Sequence, residues 1–203
     1  MSAYIILRGT PYPRRFHDME TRMRTVMGVM AQKGAINSRL FQNLMGADAG
    51  DMGIGFEFEN FHAALSAFHE ARQDPMLLEV TRKRWEDPAG DISGFNLMRD
   101  VYEPMDIKAP VMVVITYQMS RKHLPEMIDI VKEIDSLSDN KVTAMVPVQH
   151  SQMDRIHGIY HFDSLADAGK YIDEVGLSPR FQELVNKANE LGALVRSGMN
   201  IKI

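Results

Sequence analysis

The stretch Gly53-Ile54-Gly55-Phe56-Glu57-Phe58-Glu59-Asn60-Phe61 returns 104 residues later as His157-Gly158-Ile159-Tyr160-His161-Phe162-Asp163-Ser164-Leu165. Each copy reads as a strand running into a helix through Phe-x-[Asn/Ser]-[Phe/Leu]. The correspondence continues without a gap, pairing positions 53–99 with 157–203, and holds eleven identities in 47 positions. Ordinary residue usage would give roughly three. Apolar positions follow the same offset, among them Phe56 with Tyr160, Phe68 with Ile172 and Val80 with Leu184. The chain is therefore a fused pair of like units, able to bury within one molecule a surface that single-copy proteins bury by dimerising.

Working outward, each half reads in one order: strand, helix, strand, strand, helix pair, strand. In the first half the strands are expected near Ile5–Arg8, Arg39–Met45, Ile54–Phe58 and Phe95–Val101, with a turn over Gly46–Asp51. Helices are expected over Phe16–Lys33, from Phe61, and from Pro75 to about Trp85, where Asp74-Pro75 suits a cap followed by proline at the first helical position. The second half gives strands Val111–Tyr117, Val142–Val148, Arg155–Phe162 and Met199–Ile203, with helices at Leu124–Leu137, from Leu165 and from Pro179. Residues 1–103 and 111–203 are the expected domains, and 104–110, with two prolines and two acids in Glu103–Pro110, is the expected linker. A βαββαβ unit packs its helices on one sheet face. Two fused units then turn their other faces inward around a barrel-like interior.

This order, the helix pairs broken at Asp74-Pro75 and Ser178-Pro179, and the shared helix entry resemble the dimeric α/β-barrel superfamily, in particular its antibiotic-biosynthesis-monooxygenase-like and EthD-like proteins. The resemblance implies an α+β fold of two tandem ferredoxin-like domains forming an intramolecular barrel around a cavity. It is a likeness of pattern over nearly the whole chain and includes no catalytic motif. The superfamily contains cofactor-independent oxygenases, haem-handling proteins and isomerases, so the resemblance implies a monooxygenase-like enzyme without choosing its chemistry.

Composition narrows the field. No cysteine is present, which excludes disulfides, thiolate nucleophiles and Cys-based zinc or iron–sulfur sites. A net charge of −4 without a long Lys/Arg run gives no attraction to nucleic acid. No run approaches the ~18 apolar residues of a membrane span, and no basic stretch precedes the first strand, so a soluble, cytoplasmic protein is expected. The stripe Met19, Met23, Met27, Met30 has helical spacing and reads as core filler. Trp85 has no counterpart in the copy, which carries Asn189, and is expected to pack.

Period-two alternation sends Ile54, Phe56 and Phe58 toward the helices and leaves Gly53, Gly55 and Glu57 facing the interior, with His157, Ile159 and His161 as their counterparts. An acid on one side and imidazoles on the other suit proton transfer, which makes His161, His157 and Glu57 the catalytic candidates, His161 first. Strand ends and solvent-facing positions also carry such residues. Tyr4 and Arg8 on the first strand, and Asn96 and Asn200 on the last strand of each half, are candidates for ligand binding, the asparagines being equally suited to strand-entry hydrogen bonds.

Metal chelation fails on reach. His157 and His161 are about 13 Å apart along a strand, and His62 and His69 about 10 Å apart along a helix. His69-Glu70 meets Gln73 where a zinc-protease helix needs its second histidine. His150 and His157 flank a hairpin but bring no positioned carboxylate. Gly53-Ile54-Gly55 is no dinucleotide fingerprint, and neither a P-loop nor a Gly-x-Ser-x-Gly elbow occurs. No metal and no cofactor are expected. Three readings follow: a small-molecule enzyme of the cofactor-independent oxygenase or isomerase kind, a non-catalytic ligand-binding or assembly module, and a haem-binding protein using His62 or His69. The expected partner is a small molecule, and a homo-oligomer of the fused chain stays open.

Overall fold

Ile54, Phe56 and Phe58 share one face of strand β3 (Met52–Phe58), and all three are fully buried against α1 (Phe16–Gln32) and α2 (Phe61–Ala71). The methionine stripe of α1 lies in the same core: Met19, Met23 and Met30 are buried, and Met27 is partly so. The structure is a computed structural model that describes residues 2–46 and 48–203. The turn expected over Gly46–Asp51 includes Ala47, which lies outside the described residues.

The first half adds β1 (Ala3–Pro11), β2 (Asn37–Gly46), α3 (Pro75–Glu86) and β4 (Gly90–Tyr102). The second half repeats the order with β5 (Val111–Met119), α4 (Leu124–Asp135), β6 (Val142–Gln149), β7 (Arg155–Phe162), α5 (Leu165–Tyr171), α6 (Pro179–Leu191) and β8 (Gly192–Lys202). Helix entries follow their capping chemistry. Asn60, Asp74, Ser164 and Ser178 each accept a hydrogen bond from a backbone N–H of the first turn, and proline stands at the start of α3 and α6.

The strands close into one eight-stranded antiparallel barrel in the order β4-β1-β3-β2-β8-β5-β7-β6, with β6 returning to β4. Each half contributes the ferredoxin-like order, and the halves join edge to edge at β2–β8 and β6–β4. No strand edge is left open. The helices cover the outside over two separate apolar cores, one per half.

Two features depart from the expectations. Strands β4 and β8 begin five and seven residues earlier than the apolar runs, because Gly90–Ile92 pair with β1 and Gly192–Leu194 with β5 through register shifts. Gly94, at a φ of 84°, takes the bend that a polar, glycine-bearing stretch hides from a period-two reading. Trp85 is 77% exposed, because α3 turns no side chain fully into the core; the Arg84 guanidinium lies 5.6 Å from its ring centroid.

The connecting segment shapes the interior. Residues 104–110 do not run over the outside of the barrel; Met105, Ile107 and Ala109 are buried among the inward-facing Tyr4, Met98, Met112 and Ile159. Apolar residues alternating with the polar Asp106 and Lys108 let this segment cross the barrel with one side buried, Ile107 passing over Gly55. No helix among the described residues is long and apolar enough to cross a membrane.

Candidate functional site

The connecting segment divides the barrel interior into an open and a closed end. Above it lies a cavity of about 530 Å³ whose lower wall is apolar, from Ile6, Met98, Met145, Ile159 and the connector's Ile107. Its mouth is polar and carries Arg8, Arg155, Arg196, His150 and His157.

Of the two catalytic candidates His157 and His161, His157 faces this cavity, with His150 beside it at the mouth. Strand β7 pairs with β5 so that His157 stands opposite Thr116, whose Oγ1 lies 3.0 Å from the imidazole Nδ1. The Nε2 atom is buried and meets no partner among the described residues. Burial first, then the neighbouring Arg8, His150, Arg196 and Arg155, push its pKa down to about 3, so it is a neutral ring at pH 7. Its counterpart in the first half is Gly53, where no side chain fits. A Cβ at Gly53 would stand 2.3 Å from Phe41 Cζ, and this Phe41 ring forms the flat surface on which the Arg8 guanidinium rests, 5.9 Å from its centroid.

The other candidates divide between the two ends. Arg8, Asn96 and Asn200 line the cavity. His161, Glu57 and Tyr4 face inward on their strands but lie at the closed end, beyond the connector and outside the cavity lining. There the His161 Nε2 lies 3.0 Å from Thr143 Oγ1, and its Nδ1 is unpartnered among the described residues. Burial, partly opposed by Asp106 of the connector, takes its pKa down to about 4. Glu57 accepts hydrogen bonds from Asn37 Nδ2 at 2.7 Å and Ser2 Oγ at 3.3 Å. Tyr4, opposite Glu57 in the β1–β3 register, is fully buried, and burial pushes its hydroxyl up to about 12. Residues His62 and His69 are exposed on α2, outside the barrel.

Several cavity residues escaped the sequence reading. Arg39 and Phe41 share the inward face of β2, a signal present in their alternation with the core residue Leu40. Arg39 is 2% exposed; it donates to the carbonyls of Ala109 and Pro110 in the connector and, at 2.9 Å, to Asn200 Oδ1 on β8. Burial takes its pKa down to about 10, and carbonyl dipoles stand where a carboxylate would be expected. Arg155, at the start of β7, continues the inward alternation of His157, Ile159 and His161 in an unbroken register, a signal the sequence carries, whereas Arg196 sits at the register shift of β8.

The fold, a closed barrel of two ferredoxin-like halves within one chain, is shared with several solved structures. A candidate monooxygenase from Fusobacterium nucleatum superposes with a TM-score of 0.67 at 7% identity, covering 98% of this chain and 92% of its own. An anthrone oxidase-like protein gives 0.67 at 11% identity, covering 100% and 91%. A ferredoxin-fold protein related to antibiotic biosynthesis monooxygenases, from Listeria monocytogenes, gives 0.55 at 14%, covering 100% and 95%. No protein-family model matches the chain, and no curated protein matches it. At these identities the likeness is one of fold, and the chemistry rests on the cavity's own residues.

Proposed function

We propose that the chain is a small-molecule enzyme of the cofactor-independent oxygenase or isomerase kind, working in the cavity above the connector with His157 as the group that accepts a proton. The observation that carries this reading is the buried, unpartnered Nε2 of His157, facing a cavity with an apolar lower wall and guanidinium groups at its mouth. In the tautomer whose Nδ1–H donates to Thr116 Oγ1, Nε2 is free to accept the proton.

Burial first, and the surrounding cations second, make the ring a weak base while the cavity is empty. Negative charge forming on a bound carbon acid offsets the second of these and pairs with the imidazolium as it forms, so proton removal and guanidinium stabilisation of the resulting oxyanion reinforce each other. This step is common to both kinds of reaction. Returning the proton to a different carbon completes an isomerisation. In an oxygenation the carbanion gives an electron to O₂, the radicals combine as a peroxide at carbon, and loss of water leaves a carbonyl. For anthrone the balance is anthrone plus O₂ giving anthraquinone plus water.

The likeness to an anthrone oxidase-like protein makes anthrone the first substrate to try. Oxygen uptake and quinone formation are followed at pH 7 with the wild type, His157→Asn and His161→Asn. Loss of turnover in the first variant alone supports this reading; loss in the second alone moves the chemistry to the closed end. Binding without turnover of anthrone or of a panel of enolisable ketones favours the ligand-binding module.

A further inference from the structure

Resting on the cavity as the working site, we infer that its substrate carries a carboxylate on a ring-containing apolar body, the carboxylate held among Arg8, Arg155 and Arg196 and the body packed on the wall below. Four guanidinium groups line this cavity, with Arg39 the deepest, against two carboxylates, Asp48 and Asp51. Arg196 is committed to an ion pair with Asp48. Arg8 pairs with no carboxylate among the described residues and rests on the Phe41 ring. Arg155 keeps its Nε and Nη1 buried without a hydrogen-bond partner among the described residues, Asp154 Oδ1 standing 3.6 Å from Nε.

Unmet buried donors of this kind are costly, and an anionic acceptor is the group that satisfies them in pairs. The Arg8 guanidinium is destabilised by burial and by Arg196, and negative charge at the mouth relieves both. The size and wall of the cavity decide what the anion is attached to. About 530 Å³ with an apolar lower wall leaves most of its volume empty around an inorganic ion, whereas a two- or three-ring body fills it. Gly53 contributes by letting Phe41 lie flat, which keeps Arg8 turned along the mouth.

The test compares 1-naphthoate with 1-naphthamide, the same ring with its charge removed, by calorimetric titration of the full chain at pH 7. Naphthoate is expected to bind at least twentyfold more tightly than the amide and to weaken as ionic strength rises. Arg8→Gln and Arg155→Gln are each expected to weaken naphthoate at least tenfold with no change for the amide. Equal affinity for the two probes, indifference to salt in the wild type, or inorganic phosphate binding as tightly as naphthoate would overturn the assignment. The salt dependence needs no variant, so a misfolded substitution cannot hide the answer. Tight naphthoate binding by a chain that turns over no carbon acid sustains the carboxylate site and removes the enzymatic reading. Turnover of anthrone by a chain that prefers the amide does the reverse.

Discussion

Arg39 and Asn200, 161 residues apart in sequence, meet at 2.9 Å inside the barrel, where strand β2 of the first half pairs with β8 of the second. The same guanidinium holds two carbonyls of the connector, so one side chain ties together both halves and the segment that bounds the cavity. Replacing it by methionine keeps an unbranched apolar stem and removes the donors, leaving Asn200 Oδ1 and the Ala109 carbonyl unmet, while the Pro110 carbonyl keeps the Lys202 N–H. A loss of about 2–4 kcal/mol is expected. Urea unfolding monitored by circular dichroism checks this, and a variant within ~0.5 kcal/mol of wild type would show that the contacts are incidental.

Gly53→Ala tests the asymmetry of the two halves. Its Cβ would overlap the Phe41 ring, which must move and carry Arg8 with it. We expect a destabilisation of about 1–3 kcal/mol together with weaker naphthoate binding. Phe41→Leu in the same chain should recover most of the stability without restoring the binding. An alanine variant with unchanged stability would mean that the ring has room to turn aside.

The two buried imidazoles set a pH dependence. Their folded values, about 3 for His157 and about 4 for His161, lie below the ordinary value near 6.5. Between those limits the unfolded chain takes up protons that the folded chain refuses, so their contribution is intact above about pH 6.5 and is lost as pH falls toward 4 and then 3. The urea midpoint should decline over that window, and His157→Asn should remove part of the slope. An NMR titration showing either ring protonated at pH 5.5 in the folded chain would contradict the burial argument.

Much of this architecture was legible because strong period-two and helical patterns occur twice. Phe56 and Phe58 decide the orientation of β3, and their neighbours must then face inward. What alternation cannot supply is depth along the barrel axis. His157 and His161 share a face, yet the connector passes between the cavity and His161, a separation that depends on three-dimensional packing around Ile107 and Met105. The connector's burial stayed hidden because its buried residues alternate with polar ones in too short a run to register as a core segment. Arg196 stayed hidden for a related reason: a register shift decides where its side chain points, whereas Arg155 follows the same alternation as His157 and was legible.

The central claim is that His157 removes a proton from a carbon acid bound in the cavity, whichever reaction follows. Deuterium wash-in from D₂O to the C10 position of anthrone, followed anaerobically by mass spectrometry at neutral pH, isolates that step from oxygen chemistry. The wild type should exchange well above the buffer background, His161→Asn should match it within about threefold, and His157→Asn should fall at least a hundredfold, in keeping with general-base contributions of about 10²–10⁴. Exchange by His157→Asn at the wild-type rate would contradict the account.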